Sequence, residues 1–367
     1  MGALPSRDRR REASGRRGKT PGIGHEEGWL QVVATLDDVA AASGVSRSTV
    51  SRVINGGSVS EATRHRVLAA MGETGYSPNL AARTLASGRS GVVGVVIHVP
   101  PDLLFQDIFF SGLFHGIAEA LAQRGAGMML WLANLSKEQT LERILGMRLF
   151  DGLIVTADML DDPLVDGLVH SSLPTVLVGH RHRDRSASYV DIDNERAAEQ
   201  ITDHLISLGR RRVGHITGRR GGVSAEERLT GYRRAMKRAG LATDGLVADG
   251  DYLAGSGEAG AETLLAAGVD AIFCASDTMA FGALRTLERR GVRVPDDVAV
   301  AGFDDLPQAA EASPPLTTIR QDTGRLGIEA AHALFRLLSD KEAAPQRVIL
   351  PTELVIRQST VGPLGQP

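Results

Sequence analysis

The sequence has little of what disulfide-linked, metal-binding or membrane proteins require. One cysteine, Cys274, is present among 367 residues, and aromatic residues make up 4% of the chain. A single cysteine excludes an intrachain disulfide framework and a cysteine-based zinc cluster. No uncharged stretch reaches the roughly 18 apolar residues of a membrane span, and the arginine-rich start lacks the apolar segment of a secretory signal. These absences favour a cytoplasmic protein with no membrane partner.

Net charge is also small, but the two ends of the chain differ. The chain has 41 Lys and Arg against 44 Asp and Glu, and residues 1–90 hold 13 and 8 of them. A basic N-terminal part is typical of a nucleic-acid-binding module joined to another function, although a solvated basic tail gives the same asymmetry. Residues 1–33 are expected to be a disordered tail, which either attracts phosphates or arises from a misassigned start codon.

Residues 34–78 have the pattern of three short helices. The first is expected to begin after Thr35 and to end at a turn at Gly44, and the second to begin after Ser46. Two helices joined by a tight glycine-containing turn and followed by a supporting helix form a helix-turn-helix. The second helix presents hydroxyl and guanidinium groups that suit phosphates and base edges. A polar, solvated face of a small helical domain is the alternative.

The supporting third helix is predicted from Ser60 to about Thr74. A serine at the start of a helix caps its first N–H groups, and glycine after the end favours termination. Val67, Leu68 and Met71 are expected to form the stripe that faces the other two helices.

Residues 91–360 alternate between short apolar runs and helix-length segments. Continuous apolar strands separated by helices predict parallel sheets that are covered on both faces. The stretch is too long for one five- or six-stranded sheet, and the chain of 367 residues exceeds the roughly 250–300 residues that a single core rarely passes. We therefore expect an α/β region of two doubly wound lobes. Their expected ranges are residues 91–191 plus 322–347, and residues 192–321 plus 348–360.

Five segments together resemble the LacI/GalR (lactose-repressor) family of bacterial transcription regulators. They are TLDDVAAASGVSRSTVSRVIN from residue 35, YSPNLAARTLA from 76, FCASDTMAFGAL from 273, VPDDVAVAGFDD from 294 and PPLTTI from 314. The resemblance implies an all-α helix-turn-helix domain, a hinge helix with a linker at residues 79–90, and a core similar to periplasmic sugar-binding proteins. It also implies a homodimer on a palindromic operator, with a sugar or sugar derivative as effector.

The resemblance also implies which side chains reach DNA. Arg47, Ser48 and Arg52 match family positions that approach base edges, and each arginine is suited to donate two hydrogen bonds to guanine, worth about 1–3 kcal/mol of discrimination. The positions that match contacts near the DNA backbone are Thr35, Ser46, Thr49, Ser51 and Asn55.

The predicted hinge helix, residues 79–86, is too short to be stable alone in water. It is expected to form only when it pairs with its symmetry mate on DNA. Asn79 is expected to contact DNA, and Leu85 matches the family leucine that wedges between base pairs in the minor groove. Ordinary helix packing is the alternative for Leu85.

An effector site is expected where strands end, because ligands bind open α/β sheets at the carboxyl ends of their strands. Asp107, Ser276 and Asp304 each follow a predicted strand. Arg228, at the predicted start of a helix, matches the family arginine that grips ligand hydroxyls or a carboxylate, and Asp304 matches an acidic ligand-binding position. Three aromatic candidates either wall the cleft or pack in the core: Phe109, Phe110 and Tyr252.

Two other functional classes lack their sequence features. A transporter's solute-binding protein needs a signal peptide and no helix-turn-helix. For an enzyme, we expect neither the glycine-rich loop of dinucleotide-binding proteins, nor the phosphate loop of NTPases, nor the serine elbow of esterases. His180 and His182 lie in an arginine-rich turn, so no metal is expected, and no cofactor is expected either. The sequence therefore predicts a DNA-binding repressor rather than an enzyme, and leaves open whether the effector loosens or tightens DNA binding.

Overall fold

The structure of the protein, a computed structural model, divides the chain into two compact units. The first ends at Asn79 and the second begins at Leu80. The structure describes residues 34–54, 57–76, 89–97, 99, 101–132, 136–156, 159–179, 186–340 and 342–362. The predicted tail, Asn55, Asn79, Leu85 and the two histidines of the arginine-rich turn lie outside these residues.

The N-terminal unit is the predicted helix-turn-helix with its supporting helix. Its helices are α1 (Leu36–Ser43), α2 (Arg47–Ile54) and α3 (Glu61–Thr74). Thr35 caps α1 in a reciprocal hydrogen-bonded box with Asp38, and Gly44 ends it in the left-handed conformation at φ 66°. Ser60 and Gly75 cap the two ends of α3. The buried core consists of Val39, Val50, Val53, Val67 and Ala70.

One predicted core position of this unit is wrong. Leu68 is 52% exposed, whereas Val67 is fully buried. Successive residues of a helix point about 100° apart, so α3 buries Val67 together with Ala70 and, in part, Met71. Leu68 lies outside that stripe.

The first lobe of the C-terminal unit is a parallel six-stranded sheet covered by helices. The described strands are β1 (Val92–Ile97), β2 (Gly127–Leu132), β3 (Gly152–Thr156), β4 (Thr175–Val178), β5 (Ser188–Ile192) and β11 (Arg347–Leu350), in the order β11-β5-β4-β3-β1-β2. The helices are α4 (Pro101–Gln106), α5 (Ile108–Ala122), α6 (Lys137–Met147), α7 (Pro163–Val169) and α13 (Thr323–Ser339). Every residue of β3 and β4 is buried, and apart from Thr156 and Thr175 at their ends both strands lack polar side chains, as expected for strands covered on both faces.

The second lobe has a parallel four-stranded sheet in the order β7-β6-β8-β9. The strands are β6 (Val213–Ile216), β7 (Val247–Ala248), β8 (Ala271–Cys274) and β9 (Ala299–Ala301), with an antiparallel pair of β10 (Thr318–Arg320) and β12 (Glu353–Val355). The helices are α8 (Asn194–Ser207), α9 (Val223–Arg238), α10 (Ala254–Ala266), α11 (Asp277–Arg289), α12 (Pro307–Glu311) and α14 (Gln358–Val361).

Two doubly wound parallel-sheet lobes are thus confirmed. The chain passes between them after β5, after β10 and after β11. Because β11 pairs with β5, the first lobe extends to Leu350 and not to residue 347 as expected. No helix among the described residues has the length and apolar composition needed to cross a membrane.

Candidate functional site

The outer face of α2 carries the polar side chains predicted to reach DNA. Ser46, Arg47, Ser48 and Arg52 are exposed, and Thr49 is half-buried. The Thr49 N–H donates to Ser46 Oγ at 3.2 Å, which confirms the predicted cap of α2, and Ser46 Oγ lies 2.8 Å from Ser48 Oγ. The hydroxyls at the start of the helix therefore form one local group whose remaining hydrogen-bonding capacity faces solvent.

Arg47 is held only loosely at this surface. Its guanidinium lies 3.3 Å from the Asp37 carboxylate, and both side chains are about two-thirds exposed, at 68% and 66%. An exposed ion pair of this kind contributes about 0–1 kcal/mol. Arg47 can therefore leave Asp37 for a phosphate or a guanine at little cost.

A cavity lies between the two lobes of the C-terminal unit and brings together six of the seven predicted effector residues. Its wall includes Asp107, Phe109, Phe110, Arg228, Tyr252 and Asp304. It is formed where the strands end: Thr156 closes β3, Val178 closes β4, and Asp304 follows β9. This is the position at which ligands bind open α/β sheets.

Arg228 is the best-anchored polar group of the cavity. Its Nε donates to Asn194 Oδ1 at 3.0 Å, and its Nη1 donates to the Ala275 carbonyl. The guanidinium lies over the Phe303 ring, 3.6 Å from the ring centroid. The residue is 5% exposed. Arg228 lies within α9 and not at the start of a helix, because α9 begins at Val223.

Asp304 faces Arg228 across a gap of 4.0 Å between Nη1 and Oδ1. Its backbone has φ 123°, a conformation that side-chain-bearing residues rarely adopt. The Asp304 N–H donates to the Ile319 carbonyl at 2.8 Å, and Gln321 Nε2 donates to Asp304 Oδ1 at 2.5 Å. Burial raises the pKa of this carboxyl well above its usual range, although the Arg228 guanidinium opposes the shift.

Two walls of the cavity are aromatic. Asp107 caps α5 by accepting from the Phe109 N–H at 3.0 Å, and the Phe109 and Phe110 rings meet edge to face with centroids 5.5 Å apart. Tyr252 has φ 72°, and its hydroxyl lies 2.9 Å from Ser224 Oγ. The three rings line the cavity and also pack against the core. Cleft wall and core packing, the two alternatives left open by the sequence, thus both apply.

Ser276 does not line the cavity, contrary to expectation. It is 3% exposed, and its hydroxyl accepts from the Met279 N–H at 3.2 Å as the cap of α11. Asp277, the next residue, accepts from the Leu306 N–H and the Thr318 hydroxyl, and burial raises its pKa to about 6. Asp305, which follows Asp304, pairs with Arg357 and Arg320.

Sequence reasoning missed several polar residues of the cavity. Asn194 orients Arg228 and also donates to Glu227 at 3.2 Å, Gln321 binds Asp304, and Asp191 lies in the wall. Asn194 follows β5 of the first sheet by two residues, and Gln321 directly follows β10 of the antiparallel pair. A position just after a strand is what identifies such residues in a sequence, but the prediction used it only for acidic residues and serine.

A glycine pattern typical of dinucleotide-binding loops was also missed, and it has a packing role. Residues 255–260 read GSGEAG, but they lie inside α10 instead of between a strand and a helix. A Cβ at Gly257 would come within 2.1 Å of the Met279 carbonyl of α11, so this residue must be small for the two helices to pack. Among the described residues, no group of His, Cys, Asp or Glu is arranged for a metal ion.

A helix-turn-helix unit followed by two lobes around a charged cavity defines the class of DNA-binding regulators controlled by a small molecule. Residues 35–79 match the family model of bacterial regulatory proteins of the lacI family, and residues 202–360 match the periplasmic binding protein-like domain. The regulator CelR of Thermobifida fusca is 41% identical over 332 residues, 89% of this chain and 98% of that protein. The chain belongs to the LacI family of bacterial regulatory proteins.

Solved structures agree with this assignment. A CelR–cellobiose complex covers 89% of this chain and 99% of its own, with 39% identity and a TM-score of 0.69. A lac repressor dimer bound to operator and the anti-inducer ONPF covers 90% of this chain and 100% of its own, with 30% identity and a TM-score of 0.80. The chain is a DNA-binding transcriptional regulator and not an enzyme, as the sequence predicted, because its relatives are named as HTH-type transcriptional regulators and repressors.

Proposed function

We propose that this protein is a homodimeric repressor that binds a palindromic operator, and that its affinity for the operator falls or rises when a neutral sugar enters the interlobe cavity. The observation that carries the proposal is the presence, in one chain, of an exposed donor-rich α2 and a buried cavity built around Arg228 and Asp304. When bound to its operator, the protein is associated with the nucleoid.

The charge of the cavity supports a neutral, hydroxyl-rich effector. Three carboxylates, Asp107, Asp191 and Asp304, line it together with one guanidinium, Arg228. Sugar hydroxyls donate to carboxylates and accept from guanidinium groups, and the apolar face of a sugar ring packs on aromatic rings such as Tyr252. A phosphate or carboxylate on the ligand would add negative charge beside three acids in a buried site, which is costly.

Cellobiose is the first sugar to test, because a related regulator with this fold was solved in complex with it. The wall offers both kinds of group that a disaccharide requires: charged and amide side chains around Arg228, and the rings of Phe109, Phe110 and Tyr252. Of the predicted effector residues, only Ser276 is left out of the proposed contacts.

DNA recognition is proposed to use two copies of α2, since one helix-turn-helix reads only half of an operator. Half-sites lie one helical turn, about 34 Å, or a multiple of it apart. Arg47, Ser48 and Arg52 are proposed to reach base edges, while Thr35, Ser46, Thr49, Ser51 and Asn55 bind near the backbone. Asn79 and Leu85, in the proposed hinge at residues 79–90, are proposed to contact the minor groove between the half-sites.

Coupling between the two functions follows from linkage. A sugar that binds both lobes favours one relative orientation of the lobes and so changes the free energy of DNA binding. Such coupling is about 1–3 kcal/mol, and it is reciprocal: operator DNA must change the sugar affinity by the same factor.

The test begins with DNA selected from a random-sequence pool by the full-length protein. We expect a palindromic consensus, and we expect cellobiose to change the affinity for it by about fivefold or more. Glucose 6-phosphate, which carries the disfavoured charge, serves as the matched negative control. Non-palindromic DNA would contradict the dimeric mode of binding, and a response to the phosphorylated sugar alone would contradict the neutral-sugar assignment.

A further inference from the structure

The chain enters the C-terminal unit through a short segment that one carboxylate holds in place. Asp151 Oδ1 accepts from the Ser90 N–H at 2.6 Å and from the Ser90 hydroxyl at 3.0 Å. Asp151 Oδ2 accepts from the Gly91 N–H at 2.8 Å. Beside them, Arg89 Nη2 donates to the Leu338 carbonyl at 2.8 Å. We refer to Asp151, Ser90 and Gly91 as the linker clamp.

The clamp is more than a turn between neighbouring residues. Asp151 lies about sixty positions after Ser90 in the sequence and precedes β3, so its contacts fix the incoming chain to the centre of the first sheet. Ser90 is 3% exposed. Hydrogen bonds to an ionised carboxylate are roughly twice as strong as neutral ones, and here both oxygens are used. The direction in which the chain leaves the core toward residue 89 is therefore set by Asp151.

The strand that follows Asp151 leads directly to the cavity. All residues of β3 are buried, and Thr156 at its carboxyl end lines the cavity. Farther along, Met159 forms an isolated antiparallel bridge with Gly222, and the Leu160 N–H donates to the Gly221 carbonyl at 3.1 Å, both in the second lobe. One segment thus carries the clamp at one end and a contact between the lobes at the other.

We propose that Asp151 is a positioning residue that couples the interlobe cavity to DNA binding by fixing the chain that leads to the helix-turn-helix. This inference rests on the proposed function. A change in the relative position of the lobes moves Met159 and Leu160. The buried β3 carries this movement to Asp151, and the clamp then changes the direction in which the linker leaves the core.

An asparagine at position 151 would release one half of the clamp. Its oxygen still accepts from Ser90, but its NH2 group then faces the Gly91 N–H, so that two donors meet where a carboxylate oxygen had accepted. The matched control is Asp162→Asn in the same lobe. Asp162 is 2% exposed, its Oδ1 accepts from the Leu164 N–H at 2.9 Å as the cap of α7 and lies 3.4 Å from Lys137 Nζ, so the substitution alters a buried carboxylate outside the linker clamp.

The experiment uses full-length wild type, Asp151→Asn and Asp162→Asn. Amide hydrogen exchange is measured at Ser90 and Gly91, and cellobiose affinity is measured on the free protein. Operator affinity is measured with and without cellobiose on the palindromic DNA selected by wild type. For Asp151→Asn we expect exchange at Gly91 to rise about tenfold, operator affinity to fall about fivefold or more, and the effect of cellobiose on operator affinity to shrink to less than about twofold, with cellobiose affinity of the free protein unchanged. For Asp162→Asn we expect each of these quantities to stay within about twofold of wild type at a temperature where both variants are folded.

Equal loss of operator affinity in the two variants, or unchanged affinity in Asp151→Asn despite faster exchange, would reduce the clamp to a structural contact and overturn the proposal. Failure of wild type to bind cellobiose would instead contradict the sugar assignment, and the exchange and operator measurements would still decide the clamp.

Discussion

The two arginines proposed to bind ligands, Arg47 on α2 and Arg228 in the cavity, are held in opposite ways. Arg47 is 68% exposed and pairs with one exposed carboxylate, whereas the Arg228 side chain is 7% exposed and is fixed by Asn194, the Ala275 carbonyl and the Phe303 ring. A DNA-reading side chain must adapt to a partner that arrives from solvent. A side chain that grips a small ligand binds more tightly when its conformation is fixed beforehand.

The largest expected difference is in the effect of removing each guanidinium on folding. Arg228→Ala leaves the buried Asn194 Oδ1 and the Ala275 carbonyl without their donor, and each unsatisfied buried polar group costs about 1–3 kcal/mol. Urea unfolding of the full-length protein measures it. Arg47→Ala is the matched control and should change the free energy of unfolding by less than about 0.5 kcal/mol. Similar losses of unfolding free energy in the two variants would contradict the difference in how Arg47 and Arg228 are held.

Asp304→Asn separates ligand binding from stability at the cavity. Burial raises the pKa of Asp304, so its ionised form opposes folding at neutral pH, and a neutral amide of the same shape removes that cost. We expect cellobiose affinity to fall about 10-fold to 100-fold, because the amide NH2 replaces an oxygen that can accept from a sugar hydroxyl, and an unsatisfied buried polar group costs about 1–3 kcal/mol.

The free energy of unfolding of Asp304→Asn at pH 7 should equal or exceed that of wild type. As the pH falls through the raised pKa of Asp304, wild type gains stability that the variant cannot gain. A variant that binds cellobiose normally, or that is less stable than wild type by more than about 1 kcal/mol, would show that Asp304 has a structural role.

A third prediction concerns His215, which lies in the core of the second lobe. It is stacked between Tyr232 and Phe273, its Nδ1 lies 2.9 Å from the Phe273 carbonyl, and burial lowers its pKa to about 3. Below about pH 6.5 the imidazole of the unfolded chain binds a proton, whereas the buried imidazole of the folded protein stays neutral down to about pH 3. Folding stability from this group is therefore lost as the pH falls, by about 2 kcal/mol at pH 5.

His215→Phe keeps a ring in the stack but has no proton to bind. The free energy of unfolding, measured by urea at pH 7 and at pH 5, should fall less in the variant than in wild type, by about 2 kcal/mol over this range. Titration of Asp304 has the opposite sign but is common to both proteins. Identical slopes would show that His215 is not the source of acid sensitivity in the buried core.

The same contrast explains how much of each site could be predicted from the sequence. The turn and caps of the DNA-binding unit depend on residues a few positions apart, such as Thr35 with Asp38 and Ser46 with Thr49, so local rules identified them. Leu68 was misassigned because two adjacent apolar residues on α3 compete for one buried stripe, and only the position of the other helices decides between them.

The cavity depends on contacts between residues far apart in the chain. Asn194 and Arg228, or Asp304 and Gln321, meet only when the lobes have formed. The start of α9 was placed too late because Gly222 caps it without a side-chain hydrogen bond, which leaves no start signal in the sequence. Ser276 was assigned to the cavity because it follows a strand, but its hydroxyl is used by the helix that begins there.

The most localised expected effect, confined to one operator position, is Arg47→Ala measured on DNA, and it tests the exposed half of the comparison. If Arg47 reads a guanine, the variant loses about 1–3 kcal/mol of preference at one operator position and keeps the preferences at all others. Arg52→Ala, also on the exposed face of α2, should lose preference at a different position. Selection from random DNA followed by affinity measurement on single-base operator variants gives these values.

Uniform weakening across all sequences, with a shallower salt dependence, would make Arg47 a phosphate contact instead. In that case Arg47 would supply only electrostatic attraction to the DNA backbone, and sequence reading would rest on Ser48 and Arg52.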